Sequence, residues 1–111
     1  MRPIFLLAGL LSLGLLAGCS AHRGEPISEP IRIDSPKAAR GEKAYMYYCN
    51  KCHPGGERGL GFSINNQPLP GPMIKLQVRA GTGAMPSFSR QLLPEEQLDE
   101  IVDYIETLRK Q

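Results

Sequence analysis

The last part of the chain has the clearest alternation of apolar and polar positions. Apolar residues recur there every three or four positions, the spacing of one helical face: Leu98, Ile101, Val102, Ile105 and Leu108. Pro94, Glu95 and Glu96 precede this stretch, whereas Arg109 and Lys110 follow it, an arrangement that matches the helix dipole. The pattern predicts a C-terminal helix with one face in the core.

Two further helices are predicted before it. Ser35 and Pro36 have the pattern of an N-cap followed by proline at the first helical position. Residues 37–49 contain no further proline, so this helix should run into Cys49. A shorter helix is predicted from Pro72 to Ala80, where a glycine follows.

The remaining segments, 54–71 and 81–93, are rich in glycine and proline and are predicted to be loops. The fold class is therefore all-α, with three or so helices. A chain of 111 residues with three Phe, four Tyr and no Trp buries a thin core. Loops of this length are unusual unless they surround something, so an added group is expected in the interior.

The charge balance excludes one class of function. Thirteen Lys and Arg against eleven Asp and Glu give a net charge of +2, and no block of like charge occurs. A nucleic-acid binder that relies on neutralising phosphates needs a stronger basic surface.

The N-terminus has the pattern of an export signal, predicted as residues 1–18. Arg2 supplies the positive start, and Ile4–Leu16 is free of charge. Thirteen residues span about 20 Å as a helix, less than the roughly 30 Å of a hydrocarbon layer. Small residues directly before Cys19 resemble the bacterial lipoprotein site, where Cys19 becomes the lipidated N-terminus. Ordinary signal cleavage, for example after Ala21, is the alternative.

The mature chain is predicted to divide into an arm and a domain. Residues 19–35 contain Pro26 and Pro30 and no sustained apolar period, which favours a flexible tether. A lipid on Cys19 would hold the protein at a membrane in the bacterial periplasm. His22 lies in this arm and is interpreted as a hydrated surface residue. Residues 36–111 form the single domain.

The candidate chemistry lies in the segment Cys49-Asn50-Lys51-Cys52-His53. On a helical turn these two thiols and the imidazole share one face, which suits attachment of a planar group from one side. The spacing is that of c-type haem attachment, in which both cysteines form thioethers and His53 binds the iron. A thioredoxin-like pair would need a βαβ context, and a zinc site would need a fourth ligand, for which only His22 remains among Cys and His.

With these residues in view, the chain resembles the class I c-type cytochromes. Gly41, Tyr45 and Cys49 are spaced four apart and match the family's glycine and aromatic positions before the first cysteine. The resemblance implies that the first and last helices cross closely at Gly41, where Ile101 and Tyr104 meet it. It implies one covalently bound haem c per chain.

The resemblance also implies a second axial ligand. Gly83-Ala84-Met85-Pro86 is similar to the family's distal Met-Pro segment, so Met85 is the candidate ligand opposite His53. Met46 is poorly placed to cross the ring, and Met73 is interpreted as core packing. An open or otherwise ligated iron is the remaining alternative. Ligation by His and Met raises the reduction potential and fills both axial positions.

Two details depart from the family or stay open. Position 54 is Pro where many relatives have Gly. The family often holds the second nitrogen of the axial histidine with a proline carbonyl, and Pro68, Pro70 and Pro72 are all candidates here.

The resemblance implies a monohaem one-electron carrier between redox proteins, with no small-molecule substrate and no catalytic residue. Partners should meet it through a small, transient interface. A haem subunit of a dehydrogenase or oxidase, and a haem-based ligand sensor, are the alternatives. One hypothesis places four basic residues at the exposed haem edge: Lys51, Arg58, Lys75 and Arg79. The alternative is that these residues are simply part of a solvated surface.

Overall fold

The computed structural model describes residues 30–67 and 69–111. The predicted signal peptide, Cys19, His22 and Pro68 therefore lie outside the described residues. Within them the chain forms three α-helices and one short 3-10 turn, and the only β-type pairing is an isolated bridge between Thr82 and Met85. The predicted all-α fold class is confirmed.

The helices are α1 (Pro36–Tyr48), α2 (Gly71–Ala80) and α3 (Glu95–Leu108), and the 3-10 turn is Pro54–Gly56. Each begins at or next to a proline, because proline has no amide hydrogen to leave unpaired at a helix start. Each bound lies within one or two residues of the sequence prediction. No helix in the described ranges combines the length and the apolar character needed to cross a membrane.

Local capping explains where α1 begins and ends. The Ser35 hydroxyl accepts a hydrogen bond from the Ala38 amide at 3.3 Å, so the predicted N-cap is confirmed. At the other end the Cys49 amide donates to the Tyr45 carbonyl at 2.8 Å, and Cys49 is the C-cap. The first candidate cysteine thus lies where α1 ends.

The core is the face that α3 presents to α1 and α2. All five predicted core positions of α3 are buried, and they are joined there by residues from α1, α2 and the second loop: Tyr45, Ile74, Val78 and Leu93. The amphipathic period of the C-terminal helix was therefore interpreted correctly.

The crossing of α1 and α3 is close at Gly41. A Cβ on Gly41 would overlap the carbonyl oxygen of Glu100 and would lie 3.1 Å from Cβ of Tyr104. The predicted approach of Tyr104 to this glycine is confirmed, and the nearest atom belongs to the backbone of Glu100. Beside it the Tyr45 and Tyr104 rings pack at 5.2 Å between centroids, inclined by 58°.

The described end of the N-terminal arm lies against the domain. Ile31 and Ile33 pack against the core. The Arg32 amide donates to Gln111 Oε1 at 2.9 Å, and Gln111 Nε2 donates to the Arg32 carbonyl at 3.4 Å. Residues 31–33 are thus attached to the C-terminal end of the chain.

Candidate functional site

The segment with both cysteines is a tight turn that directly follows α1. The amides of Cys52 and His53 both donate to the Cys49 carbonyl, at 3.1 and 2.9 Å. The bond from His53 to Cys49 has the spacing of an α-helical turn, as the sequence pattern requires. Both thiols are free and partly buried.

Burial keeps the first thiol neutral. Desolvation, with a smaller contribution from the neighbouring Cys52, raises the pKa of Cys49 to about 12. Desolvation also raises the pKa of Tyr45 above its ordinary value, so its hydroxyl stays a donor. That hydroxyl donates to the His53 carbonyl at 2.5 Å and ties the end of the turn to the core of α1.

The imidazole of His53 is oriented by one backbone carbonyl. Nδ1 lies 2.7 Å from the carbonyl oxygen of Phe62, and because a carbonyl only accepts, Nδ1 carries the proton. Nε2 is then the nitrogen with a free lone pair for a metal. The expectation that Pro70 or Pro72 supplies this carbonyl is wrong, since the loop after His53 turns back and reaches the imidazole within nine residues. The third candidate, Pro68, lies outside the described residues.

Gly61 lies directly against the imidazole. A Cβ at this position would overlap the His53 ring. The Gly61 amide donates to the Cys52 carbonyl at 2.8 Å, so the loop backbone is fastened to the cysteine turn. Sequence reasoning missed both Gly61 and Phe62, and its only available signal was the unusual glycine content of residues 55–61.

The loop 54–67 is held by the chain itself. Asn50 Oδ1 accepts from the Gly55 amide at 2.9 Å, and the Ile64 amide donates to the Gly56 carbonyl at 2.8 Å. From α3, the Arg109 guanidinium donates to the carbonyl of Ile64 at 3.1 Å. Pro54, the departure from the family pattern, begins the short 3-10 turn.

Met85 lies at the end of a two-residue hairpin. The Thr82 amide donates to the Met85 carbonyl at 3.0 Å, and the Met85 amide donates to the Thr82 carbonyl at 2.9 Å. Gly83 adopts φ 57° in this turn, a conformation that favours glycine. Gly81, at φ 69°, also allows a close approach, because its Cβ would lie 2.7 Å from the Ser87 nitrogen.

The Met85 side chain is partly buried against the core. Gln77 Nε2 lies 3.9 Å from its sulfur and donates to Thr82 Oγ1 at 2.6 Å. Met46 and Met73 are more exposed, and the interpretation of Met73 as core packing is wrong. Ile74 and Val78 occupy the buried face of α2, so the position next to Ile74 points outward.

Large apolar side chains are exposed in the two segments that adjoin the candidate ligands. Leu60 is 88% and Phe62 77% exposed in the loop after His53, and Leu76 is 59% exposed on α2 before the Met85 hairpin. These side chains are therefore available to contact an apolar group beside the candidate ligands. Two free thiols, a lone-pair imidazole nitrogen and a thioether sulfur are the donor set that haem c requires, so the residues fit this group.

Two of the four basic residues considered for a charged edge are paired. Lys75 forms ion pairs with Asp99 and Glu95. Arg79 bonds Glu95 at 2.8 Å and has an exposed side-chain fraction of only 17%. In the described ranges Lys51 and Arg58 form no ion pair and are exposed.

Comparison with known proteins agrees with this donor set. The family model described as "Cytochrome C oxidase, cbb3-type, subunit III" matches residues 36–105. Cytochrome c6 of Gloeothece citriformis is 33% identical over 76 residues, covering 61% of this chain and 68% of that protein. The cytochrome c subunit of 4-cresol dehydrogenase [hydroxylating] of Pseudomonas putida is 34% identical over 68 residues, covering 61% of this chain and 59% of that subunit. No solved structure gives a significant match.

The chain therefore belongs to the c-type cytochromes, proteins that carry a covalently bound haem c. More narrowly, the resemblance to the class I c-type cytochromes is confirmed. Its function is electron transfer, and the chain is not itself an enzyme.

Proposed function

We propose that the chain binds one haem through thioethers to Cys49 and Cys52, with His53 as the proximal iron ligand. The observation that supports this most directly is the bond between His53 Nδ1 and the Phe62 carbonyl at 2.7 Å. It fixes the tautomer that leaves Nε2 for the iron, and it holds the ring beside the cysteine turn. The thiols on that turn are the groups that would add to the haem vinyl carbons.

We propose Met85 as the second axial ligand. Its support is the hairpin of residues 82–85, whose two backbone hydrogen bonds fix the position from which the side chain leaves the loop. Gln77 lies beside the sulfur and limits its freedom. A neutral thioether favours ferrous over ferric iron, so this ligand would raise the reduction potential.

When bound, the haem supplies a one-electron ferric/ferrous couple. The residues of this chain would orient the proximal imidazole through the Phe62 carbonyl and hold the Met85 sulfur beside Gln77. The apolar side chains of Leu60, Phe62 and Leu76 provide a surface to cover the ring. With His53 and Met85 both supplied by the protein, electron transfer would need no exchange of ligands.

The proposed role is that of an electron carrier between redox proteins outside the cytoplasm, at the bacterial cell envelope. Carriers of this kind meet their partners through transient interfaces, commonly below about 1,200 Å². With Lys75 and Arg79 paired inside the chain, Lys51 and Arg58 are the remaining candidates for a basic edge. We further propose that Cys19 is lipidated, so that the arm tethers the domain to a membrane.

A second candidate is a haem subunit that stays bound to a larger oxidoreductase. The matching family model is named for an oxidase subunit, and one relative is named as the cytochrome subunit of a dehydrogenase. Purification of tagged protein from membranes without crosslinker distinguishes the two. A carrier should elute alone, whereas a subunit should elute with a large partner in fixed proportion.

Covalent attachment is tested by acid-acetone extraction of the denatured holoprotein. Haem should stay with the polypeptide, and haem free in the solvent would contradict the thioether assignment. The double variant Cys49→Ser, Cys52→Ser should give an unfolded or degraded chain, because the loops lose the group that they cover. A stable, folded, haem-free double variant would contradict the view that the loops depend on this group for their structure.

The axial ligand is tested by the weak near-infrared band that marks methionine sulfur on ferric iron. The wild type should show this band near neutral pH. Met85→Ala should lose it, lower the reduction potential and bind carbon monoxide when reduced, whereas Met73→Ala should keep the wild-type behaviour. If Met85→Ala retained the band and the potential, another residue would be the ligand. If the wild-type protein lacked the band and bound carbon monoxide readily, the alternative of a haem-based ligand sensor would be favoured.

A further inference from the structure

The loop of residues 81–93, which carries the proposed methionine ligand, is fastened to the domain partly by one mostly buried side chain, that of Arg79. Arg79 Nη1 donates to two loop carbonyls, that of Phe88 at 3.1 Å and that of Leu93 at 2.8 Å. Arg79 Nη2 donates to the Glu95 carboxylate at 2.8 Å. One guanidinium therefore joins α2, the second half of the loop and the start of α3.

Phe88 is the point at which the Met85 hairpin is held. Its carbonyl accepts from Arg79, and its amide donates to the Val78 carbonyl at 2.9 Å. Its ring packs edge-on against Tyr48, with centroids 6.1 Å apart. Because Phe88 follows Met85 by only three residues, its position limits where the hairpin lies.

The bonds of Arg79 are hard to replace by water. Its side chain is mostly buried, so a loop carbonyl that lost the guanidinium would be left without a comparable donor. Lys75, one turn earlier on α2, provides the contrast. It pairs with Asp99 and with the same Glu95, but it makes no bond to the loop.

We infer that Arg79 is a positioning residue for the sixth ligand of the iron, an inference that rests on the proposed role of Met85. Its guanidinium holds the hairpin in place and thereby sets how readily the methionine sulfur leaves the metal. Met85 would hold the iron through a lone pair of its sulfur, and release of that sulfur would leave a position open to a lone pair of water or carbon monoxide. No electron is lost or gained in this exchange.

The test compares Arg79→Gln with Lys75→Gln in the holoprotein. Each variant removes one cation from α2 next to Glu95, but only Arg79→Gln removes the two loop bonds. Loss of bonds from a charged donor should increase the fraction of protein without methionine ligation about tenfold. When the pH is raised, the value at which half of the near-infrared band is lost should then be lower by about one pH unit than in the wild type. The reduced protein should also bind carbon monoxide more readily. Lys75→Gln should match the wild type in both measurements.

Amide hydrogen exchange gives a readout that does not depend on the iron. Exchange across residues 81–93 should accelerate in Arg79→Gln relative to wild type and to Lys75→Gln. Arg79→Lys keeps the charge but loses the forked pair of donors, so it should lie between wild type and Arg79→Gln. It also serves as the test variant if Arg79→Gln does not accumulate.

A wild-type band midpoint and wild-type exchange in Arg79→Gln would overturn the inference, as would equal effects of the Arg79 and Lys75 variants. If the wild type itself lacks the near-infrared band, the assignment of Met85 fails by itself. The exchange experiment then decides the role of Arg79 in holding the loop, and unchanged exchange overturns it.

Discussion

At the scale of single residues, the orientation of His53 depends on a backbone carbonyl and on a glycine, and not on another polar side chain. The Phe62 carbonyl accepts from Nδ1, and Gly61 leaves room for the imidazole beside the loop backbone. The second partner of an axial histidine controls the ring's orientation and basicity. Two inconspicuous loop residues thus decide how the proposed ligand would face the iron.

Gly61→Ala should disturb this contact. The new Cβ would overlap the His53 ring and weaken the bond from Nδ1 to the Phe62 carbonyl. A less polarised imidazole donates less to ferric iron, so the reduction potential should rise, by up to about 60 mV for one net hydrogen bond. A redox titration of the holoprotein measures it.

The matched control is Gly55→Ala. Gly55 has φ 60° but no atom within 4 Å of its Cβ position, so this variant adds backbone strain of about 1–2 kcal/mol without touching the imidazole. Its potential should equal that of the wild type. Equal potentials in Gly61→Ala and wild type would show that the ring does not depend on this glycine.

At the scale of elements, the crossing of α1 and α3 positions the cysteine turn. α1 ends at the first cysteine, and the Tyr45 hydroxyl joins this helix to the His53 carbonyl. A helix pair this close needs a residue without a side chain at the contact, although glycine costs about 1 kcal/mol of helix propensity. Gly41 meets that need.

Gly41→Ala should destabilise the protein despite the better helix propensity of alanine. Its Cβ would overlap the Glu100 carbonyl, and backbone atoms in a packed crossing cannot move aside cheaply. Overpacking of this kind costs about 1–3 kcal/mol. Thermal or denaturant unfolding of the holoprotein measures the change in free energy.

The control for Gly41→Ala is Ala39→Gly on the same helix. Ala39 is partly exposed, so this variant should lose only the helix propensity, about 1 kcal/mol. A Gly41→Ala variant at least as stable as the wild type would contradict the close crossing.

The start of α3 carries a charge cluster with a predictable pH dependence. The hydrogen bond from Arg79 is the largest cause that lowers the pKa of Glu95 below its ordinary value of 4.5, and Lys75 and Arg90 act in the same direction. A lowered pKa in the folded state means that the unfolded chain binds the proton first as the pH falls. The contribution of Glu95 to stability is therefore complete above pH 4.5 and is lost as the pH falls towards its folded-state pKa.

Glu95→Gln should reduce stability slightly at neutral pH and flatten the loss of stability below pH 4.5. Unfolding free energies of the holoprotein between pH 7 and pH 3 measure both effects. Glu96→Gln is the control, because Glu96 makes no ion pair within the described ranges. Its loss of stability below pH 4.5 should match that of the wild type. If Glu95→Gln lost as much stability below pH 4.5 as the wild type, the prediction would be contradicted.

At the scale of the whole molecule, the arm and the domain have separate tasks in the proposed function. The end of the arm packs on the domain through Ile31 and Ile33 and through two bonds between Arg32 and Gln111. The proposed lipid site, Cys19, precedes this attachment by more than ten residues. Anchoring should therefore be separable from haem binding.

Cys19→Ala should abolish the incorporation of labelled fatty acid and move the protein from the membrane to the soluble fraction. The absorption spectrum of the haem should stay unchanged, because every proposed haem ligand lies beyond residue 48. Ser20→Ala is the control and should remain labelled. Label on Cys19→Ala, or none on the wild type, would contradict the lipoprotein assignment.

The sequence by itself determined the helices, the haem-type attachment pattern and the class of protein. Helix periods, proline starts and the glycine at position 81 are local signals, since they depend on residues within a few positions of each other. The attachment pattern is local for the same reason, because both cysteines and the histidine occupy one turn. For Met85, the sequence supplied a resemblance, and the ligand role remains a prediction.

Only the tertiary structure decided which groups support those residues. In the described residues the carbonyl that orients His53 is that of Phe62 and not of Pro70 or Pro72. Met73 is exposed because Ile74 and Val78 take the buried face. Arg79 looks like any surface cation in the sequence, yet it holds the loop of the proposed ligand. Such contacts depend on how loops return to the core. Backbone carbonyls occur at every residue, so the sequence carries no mark of the one that will be used.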